Sequence, residues 1–470
     1  MSERCFKTLI SLFSSVSSML AMMRFAVLLP LATPLAIVPP CSLNGELIAG
    51  ACKCDPGWEG KVCERVRFLA ANLSHGFNSW AGNTGQPSGT SSWGATQLRG
   101  DDGLWHTWID EMDLQCGLLS YQNNMQIVHA TSNNRLGPWQ RHGPISPFAS
   151  SAATAHAVRD PASKKFLIFH TGCGNHSDPN SEFYGTNHSM PIVNCKNGTT
   201  PDNMIYAPAP PPGPAAPGNA TCGYANRDMS IFVSDSPYGP WTQQMPWVVP
   251  GSGTQEINGV PYAKGISLIG GNPTALILEN GTTLVFFRVW RGAKKQNQTW
   301  EDCVKLGVVI RNFTGGFPNP ENAYPGCTVV GLARAPHWSG PYEIVGGPAI
   351  PFQQEDFYMY RTKRGFHAVF HGMDPWPSRI HTGRHAYSED GITWHGGDVD
   401  CWNNTVHLVD GSTIELKRRE RPEMLHDEQT GLPFALISGV HGPDGMFQND
   451  QTFTMVQAID TSGDSDVELI

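Results

Sequence analysis

The sequence predicts an all-β protein: a five-bladed β-propeller preceded by a small disulfide-bonded segment. Three observations carry that reading. The first is a recurring phrase. Residues 128–139 read VHATSNNRLGPW, a β-branched strand, a polar turn and then Gly-Pro-Trp. Similar wording returns at 231–241 (IFVSDSPYGPW) and 330–342 (VGLARAPHWSGPY), and more loosely at 383–394 (GRHAYSEDGITW). A strand, a turn and an aromatic residue cannot cover their own apolar face, whereas several such units stacked together can. The second observation is hairpin chemistry ahead of each copy. Turn residues precede short apolar runs at 104–109, 166–170, 282–287, 366–371 and 432–437, and Asp-Gly or Asn-Gly between apolar runs marks a hairpin. The third is composition: 50 Gly and 37 Pro against 16% charged residues describe a turn-rich, helix-poor chain. The competing fold is a β-sandwich or β-helix with chance similarity between the phrases.

Taken in order, residues 1–38 are apolar, and FAVLLPLATPLAIV follows Met22-Met23-Arg24. A basic start and an apolar centre read as a signal peptide, or as an uncleaved membrane anchor. Arg24, Pro30 and Pro34 make a stable spanning helix less attractive. The expected location is therefore secreted or extracellular, with membrane attachment only if this segment stays. Residues 39–65 hold Cys41, Cys52, Cys54 and Cys63 in a stretch too short to bury a core, so disulfides must hold it. A zinc reading of the four cysteines is disfavoured by the secretory start.

The propeller is expected over 66–458. Blade one starts near Trp93, and blade two covers 148–245 around an insert at 173–226 that includes the stiff APAPPPGPAAPG. Blade three covers 265–345 around an insert at 291–327, blade four 348–397 and blade five 398–458. Strand 451–457 (QTFTMVQ) is expected to pair with chain between Phe68 and Trp93 and so close the ring. Residues 459–470 read as an acidic tail.

Sequons at Asn72, Asn175, Asn187, Asn197, Asn219, Asn297, Asn312 and Asn403 fit the same compartment, and Asn280 sits in a tight turn where it is expected to stay bare. Twelve cysteines imply disulfides beyond the first four, with local pairs expected among Cys173, Cys195 and Cys222 and between Cys303 and Cys327. A net charge of −9 with scattered basic residues argues against a nucleic-acid partner. Fourteen Trp suit blade cores or sugar-stacking platforms.

The mouth of a propeller is edged by the beginnings of its inner strands. Counting back from each hairpin glycine places His156, Asn272, Glu355-Asp356 and Glu420-Arg421 there. Arg288 and His371 join His156, Asn272 and Arg421 as candidate binding residues. In an extended strand Glu355 and Asp356 face opposite ways, so only one of them should reach the axis. Asp101 and Asp102 read as a hairpin turn, Asp160 lies too close to its own hairpin, and Asp110, Glu111 and Asp113 are expected on a surface loop. Asp450 is a weaker candidate for the mouth. In the bland reading Glu420 pairs with Arg421, and Asp356 pairs with Arg361 or Arg364.

Two resemblances follow from these residues. The tail C-x-C-x5-G-x2-C over Cys52, Cys54, Gly60 and Cys63 resembles the C-terminal half of an epidermal-growth-factor-like (EGF-like) module. That resemblance implies pairs Cys41–Cys52 and Cys54–Cys63, and a role as spacer, adhesion element or rigid cap. The Gly-Pro-Trp strands together with RERPEMLHDEQTGLPFAL at 419–436 resemble glycoside hydrolase family 43. The resemblance implies inverting cleavage of glycosidic bonds in a carbohydrate polymer or glycan, with Glu420 as general acid and Asp356, or its neighbour Glu355, as base or tuning residue. Inversion needs two carboxyl groups about 6.5–9.5 Å apart. The family takes its base from blade one, where this chain offers no acid at the right register. The alternative is a non-catalytic propeller that binds carbohydrate or protein. No cofactor or metal is expected from the motifs, since the histidines lack zinc spacing; the resemblance allows a single axial calcium.

Overall fold

Each Gly-Pro-aromatic phrase closes the turn between the third and fourth strands of a blade. Gly137, Gly239 and Gly340 take φ of 94°, 90° and 96° ahead of cis prolines. Their amides donate to Asn134, Ser236 and His337 carbonyls at 2.9, 3.0 and 2.9 Å. The aromatic residue two places on folds back over the glycine: a Cβ on Gly137 or Gly239 would lie 2.8 or 2.9 Å from the indole of Trp139 or Trp241. Only a residue without a side chain accepts both the left-handed backbone and that contact.

The computed structural model describes residues 38–79, 89–145, 153–171, 195, 229–244, 246, 248–249, 256–257, 260–261, 271–291, 327–350, 352, 354–373, 382–443, 446 and 450–462. They form five four-stranded antiparallel sheets. Blade one is Ser92–Arg99, Trp105–Met112, Met125–Ser132 and Gln140–Pro144; blade two is Ala153–Arg159, Phe166–Thr171, Met229–Ser234 and Thr242–Gln244. Blade three is Thr274–Ile277, Thr283–Arg291, Cys327–Ala335 and Glu343–Ile350; blade four is Gln354–Thr362, Gly365–Gly372, Gly383–Ser388 and His395–Trp402. Blade five is Arg418–His426, Pro433–His441 and Phe453–Ala458, and its outer strand is Gly76–Phe77 from before blade one. The chain therefore closes its own ring, as expected, and the propeller keeps few open edges. Helix among the described residues is confined to Tyr121–Asn124 and three 3-10 turns.

Apolar residues fill each seam between neighbouring blades. Trp108 and Ile127 meet Ile168 and Phe232 between blades one and two, and Phe169 and Ile231 meet Val285 and Val329 between two and three. Phe286 meets Met359 and Phe370 between three and four, and Ile109 meets Leu425 and Ile437 between five and one. The seam between four and five is completed from outside the ring: Cys41, Trp58, Cys63 and Val66 pack with Tyr360, Val369, Met424, Leu436 and Ile459. The N-terminal module thus shares the propeller's core. Its pairs are Cys41–Cys52 and Cys54–Cys63, the connectivity that the EGF-like resemblance implies.

Several expectations are corrected. Blade four runs to Trp402 rather than 397, because its outer strand pairs through register shifts as far as Gly383. Residues 405–415 then form an extra hairpin before blade five. Cys195 does not pair inside its insert; it bonds Cys116 on the blade-one loop and so ties the two together. Cys173, Cys222 and Cys303 lie outside the described residues, as do Asn175, Asn187, Asn197, Asn219, Asn297 and Asn312. Cys401 is a free, buried thiol. No helix among the described residues is long and apolar enough to cross a membrane.

Candidate functional site

The inner strands share one irregularity. In four blades, two residues of the inner strand oppose one of its neighbour: Trp93-Gly94, Thr154-Ala155, Asp356-Phe357 and Arg421-Pro422. Asn272-Pro273 takes the same place in blade three, where the Arg288 amide donates to the Gly271 carbonyl. These are β-bulges, which re-aim a side chain. Thr154, Asn272, Asp356 and Arg421 have φ of 61°, 54°, 55° and 55°. A left-handed residue other than glycine costs on the order of 1–2 kcal/mol, and here that strain turns four polar side chains towards one another. Blade one contributes Trp93 and Gly94, so it has no carboxylate on this ring.

The ring is knitted by hydrogen bonds. Asn272 Nδ2 donates to Glu355 Oε1 at 3.0 Å and Asp356 Oδ1 at 2.7 Å. Arg421 Nη1 donates to Asp356 Oδ1 at 3.2 Å, and its Nη2 donates to Asp110 Oδ2 at 3.0 Å. Asp110 also accepts the Thr154 and Ala155 amides at 2.9 and 3.3 Å. His371 Nδ1 lies 3.3 Å from Asp356 Oδ2, and its Nε2 lies 3.9 Å from Glu420 Oε2. Arg418 takes both oxygens of Glu420 at 2.6 and 2.9 Å, and Arg288 pairs with Glu355.

The structure brings Glu420, Asp356, Glu355, Asn272, Arg421, Arg288 and His371 into one network. Its details differ from expectation. Glu355 and Asp356 both reach Asn272, because the bulge breaks the alternation that would have separated them. Glu420 pairs with Arg418, leaving Arg421 to bridge two aspartates; Arg364 instead binds Asp55 and Glu46 of the N-terminal module. The ring position in blade two is Thr154, two places before His156. His156 lies behind the ring, where Nε2 meets the Ala275 carbonyl at 2.9 Å and Nδ1 lies 3.5 Å from Glu423 Oε2. Asp110 is on no surface loop: the second strand of blade one continues to Met112 and leaves Asp110 1% exposed. It is the acid from blade one that the sequence reading missed. The available signal was length, since WHTWIDEM keeps strand character past Ile109. Asp102 and Asp160 cap hairpin turns, and Asp450 accepts the Leu119 amide.

Burial pushes Asp110 up to about 6, and Arg421 with the two backbone amides offsets this only in part. Burial pushes Asp356 up as well, but Arg421 and His371 outweigh it and hold that carboxyl below the usual range. One guanidinium therefore joins two buried carboxyl groups moved in opposite directions, an arrangement that separates a proton donor from a proton acceptor. Behind the ring a cavity of about 20 Å³, lined by Thr154, His156, Asp356 and Arg421, has room for a single water.

Ligand atoms of Asp356, His371 and Glu420 all lie within 4.8 Å of one another. They do not fit calcium, which takes six to eight oxygen ligands. Asp356 Oδ1 is already bound by Asn272 and Arg421, both Glu420 oxygens are bound by Arg418, and the arginines add positive charge. The same closeness leaves Asp356 and Glu420 nearer to each other than the about 6.5–9.5 Å that an inverting pair requires.

Residues 37–66 match the model of the Teneurin-like EGF domain, an extracellular type of module in keeping with its two disulfides. No curated protein matches the chain. Among solved structures, a family 117 glycoside hydrolase from the marine bacterium Zobellia galactanivorans is 12% identical, with a TM-score of 0.45 over 86% of this chain and 92% of that one. A thermostable family-43 glycoside hydrolase is 8% identical, with a TM-score of 0.44 over 82% and 96%. The catalytic domain of the Coprinopsis cinerea GH62 α-L-arabinofuranosidase is 10% identical, with a TM-score of 0.45 over 85% and 98%. At these values the likenesses add nothing to strand order and register, which alone establish the five blades.

Proposed function

We propose that this protein is an extracellular glycosidase acting on a carbohydrate polymer or glycan at the mouth of its propeller. The observation that carries the reading is the Asp110–Arg421–Asp356 bridge. Asp110, raised to about 6 by burial, carries a proton in mildly acidic solution, and Asp356 stays ionised. Hydrolysis needs both: the acid protonates the leaving glycosidic oxygen, and the carboxylate takes a proton from the water that attacks the anomeric carbon. Arg418 holds Glu420 through both oxygens, and the upward shift of Asp110 gives the donor role to Asp110 in place of Glu420. Arg421 and Asn272 position Asp356, and Arg288 holds Glu355 beside it. The disulfide-bonded module and the apolar start of the chain support entry into the secretory pathway.

The test is release of reducing sugar from arabinan, xylan and galactan. Asp110→Asn and Asp356→Asn are each expected to lower the rate about 10²- to 10⁴-fold, with Glu420→Gln affected less. Variants as active as the wild type would remove the bridge from catalysis. A second reading, a propeller that binds glycans without cleaving them, is favoured by the pairing of every carboxylate on the ring with an arginine. It predicts no sugar release from any of the three polymers and glycan binding that survives Asp356→Asn.

A further inference from the structure

A groove of about 520 Å³ runs between the end of the N-terminal module and the edge of blade four, within the size range of small-molecule sites. Phe68 and Trp402 line it, with the Arg419 guanidinium 4.7 and 6.0 Å from their ring centroids. Asp400 and Arg65 add polar groups, and Leu69 in its wall is 49% exposed. Asn403 stands in the same wall, exposed, within the sequon Asn-Asn-Thr. Its Oδ1 accepts the Thr405 amide at 3.1 Å, so a local turn engages the carboxamide oxygen and leaves the nitrogen outside that hydrogen bond. Asn280 makes the same turn with Thr282 at 3.0 Å, but at an exposed hairpin tip.

We infer that an N-linked glycan on Asn403 lies down in this groove and fastens the N-terminal module to the propeller. The occupant follows from the attachment point. The first sugar of an N-glycan carries an apolar ring face, which suits the exposed Leu69 and the partly exposed Phe68, Trp402 being 5% exposed in the core beneath. It also carries hydroxyl and acetamido groups, which suit Asp400 and Arg65. Seated there it covers Leu69 and spans residues from both sides of the junction. The inference uses the secretory part of the proposed function and is independent of catalysis.

The experiment expresses the full chain in a secretory eukaryotic cell and maps glycopeptides by mass spectrometry. A peptide amidase then removes N-glycans from native and from denatured protein. The expected result is an occupied Asn403 whose glycan leaves at least ten-fold more slowly from the native protein. Amide hydrogen exchange at 66–70 is expected to quicken about ten-fold once that glycan is gone, a change that a glycan waving in solvent would not produce. An Asn403 left bare while other sequons are occupied, or a glycan released equally fast from both forms, overturns the inference alone. Absence of glycan at every sequon overturns the secretory reading with it.

Discussion

A Cβ placed on Gly94 would lie 2.8 Å from the Cβ of Arg421. Blade one leaves this room so that Arg421, from blade five, can cross to Asp110 while still holding Asp356. Gly94 also has φ of 84°, which an alanine adopts only under strain. Gly94→Ala should therefore cost about 1–3 kcal/mol through overpacking and backbone strain together, measured by denaturant unfolding. It should also cut sugar release, because Arg421 must shift. A variant with unchanged stability and rate would show that the fit between the two residues is loose.

Arg421 is the charge on which both aspartates depend. Arg421→Met keeps bulk in the ring but strands Asp110 and Asp356, which are 1% and 6% exposed. Breaking a buried pair by removing one partner costs about 3–5 kcal/mol. The loss should shrink in acid, where the two carboxyl groups protonate and no longer need a cation. Unfolding curves at pH 4 and pH 7 check this, and an equal loss at both would mean that the arginine contributes packing rather than charge.

The blades were readable because three of them repeat a turn with strict local chemistry, in which the glycine before proline accepts a conformation that other residues resist, and because the apolar runs of all five report burial on both faces. Closure by Gly76–Phe77 was foreseeable because the third strand of blade five, Phe453–Ala458, needs a partner on its outer side. The site was only half readable. Counting back from hairpin glycines reached Asn272, Asp356 and Arg421, since those bulges lie nine or ten residues before Gly281, Gly365 and Gly431. In blade two the count stopped at His156 instead of Thr154, and no alternation rule survives a bulge, so Glu355 was turned the wrong way. Asp110 escaped because an acid after an apolar strand normally marks solvent; its burial is made tolerable by Arg421 of blade five, 311 positions away, and by the Thr154 and Ala155 amides of blade two. The Cys116–Cys195 link was hidden for the same reason, since spacing along the chain says nothing about an insert folding back.

Asp110 should leave a signature in the pH dependence of stability. Its folded value is about 6 against an ordinary 3.8, so between those values the folded state holds more proton than the unfolded state. The stability it contributes is complete below pH 3.8 and is lost as pH rises through 6, a change on the order of 3 kcal/mol. Asp356, held low, acts in the opposite sense: its contribution is present above the ordinary value and is lost as pH falls through its folded value. Relative to wild type, Asp110→Asn should therefore gain stability as pH rises from 4 to 6.5. A difference between the two proteins that does not move with pH would place Asp110 in water.

The N-terminal module should melt with the ring, and Trp58 is where to test this. Trp58 is 6% exposed and sits in one core with Tyr360, Val369, Met424 and Leu436 from blades four and five. Gly57 beside it would, with a Cβ, come within 3.0 Å of both Ile459 and Pro433. At the rim, Arg364 reaches Asp55 at 2.9 and 3.1 Å. An independent stalk has no reason to bury an indole in its neighbour's seam. Trp58→Ala should cost about 3–5 kcal/mol and lower a single unfolding transition, reported alike by near-ultraviolet dichroism and calorimetry. The double variant Cys54→Ser/Cys63→Ser should lower the same transition by about 2–5 kcal/mol. If either change instead split off a small early transition and left the main one in place, the module would be a tethered unit, and the four–five seam would have to be closed by the blades alone.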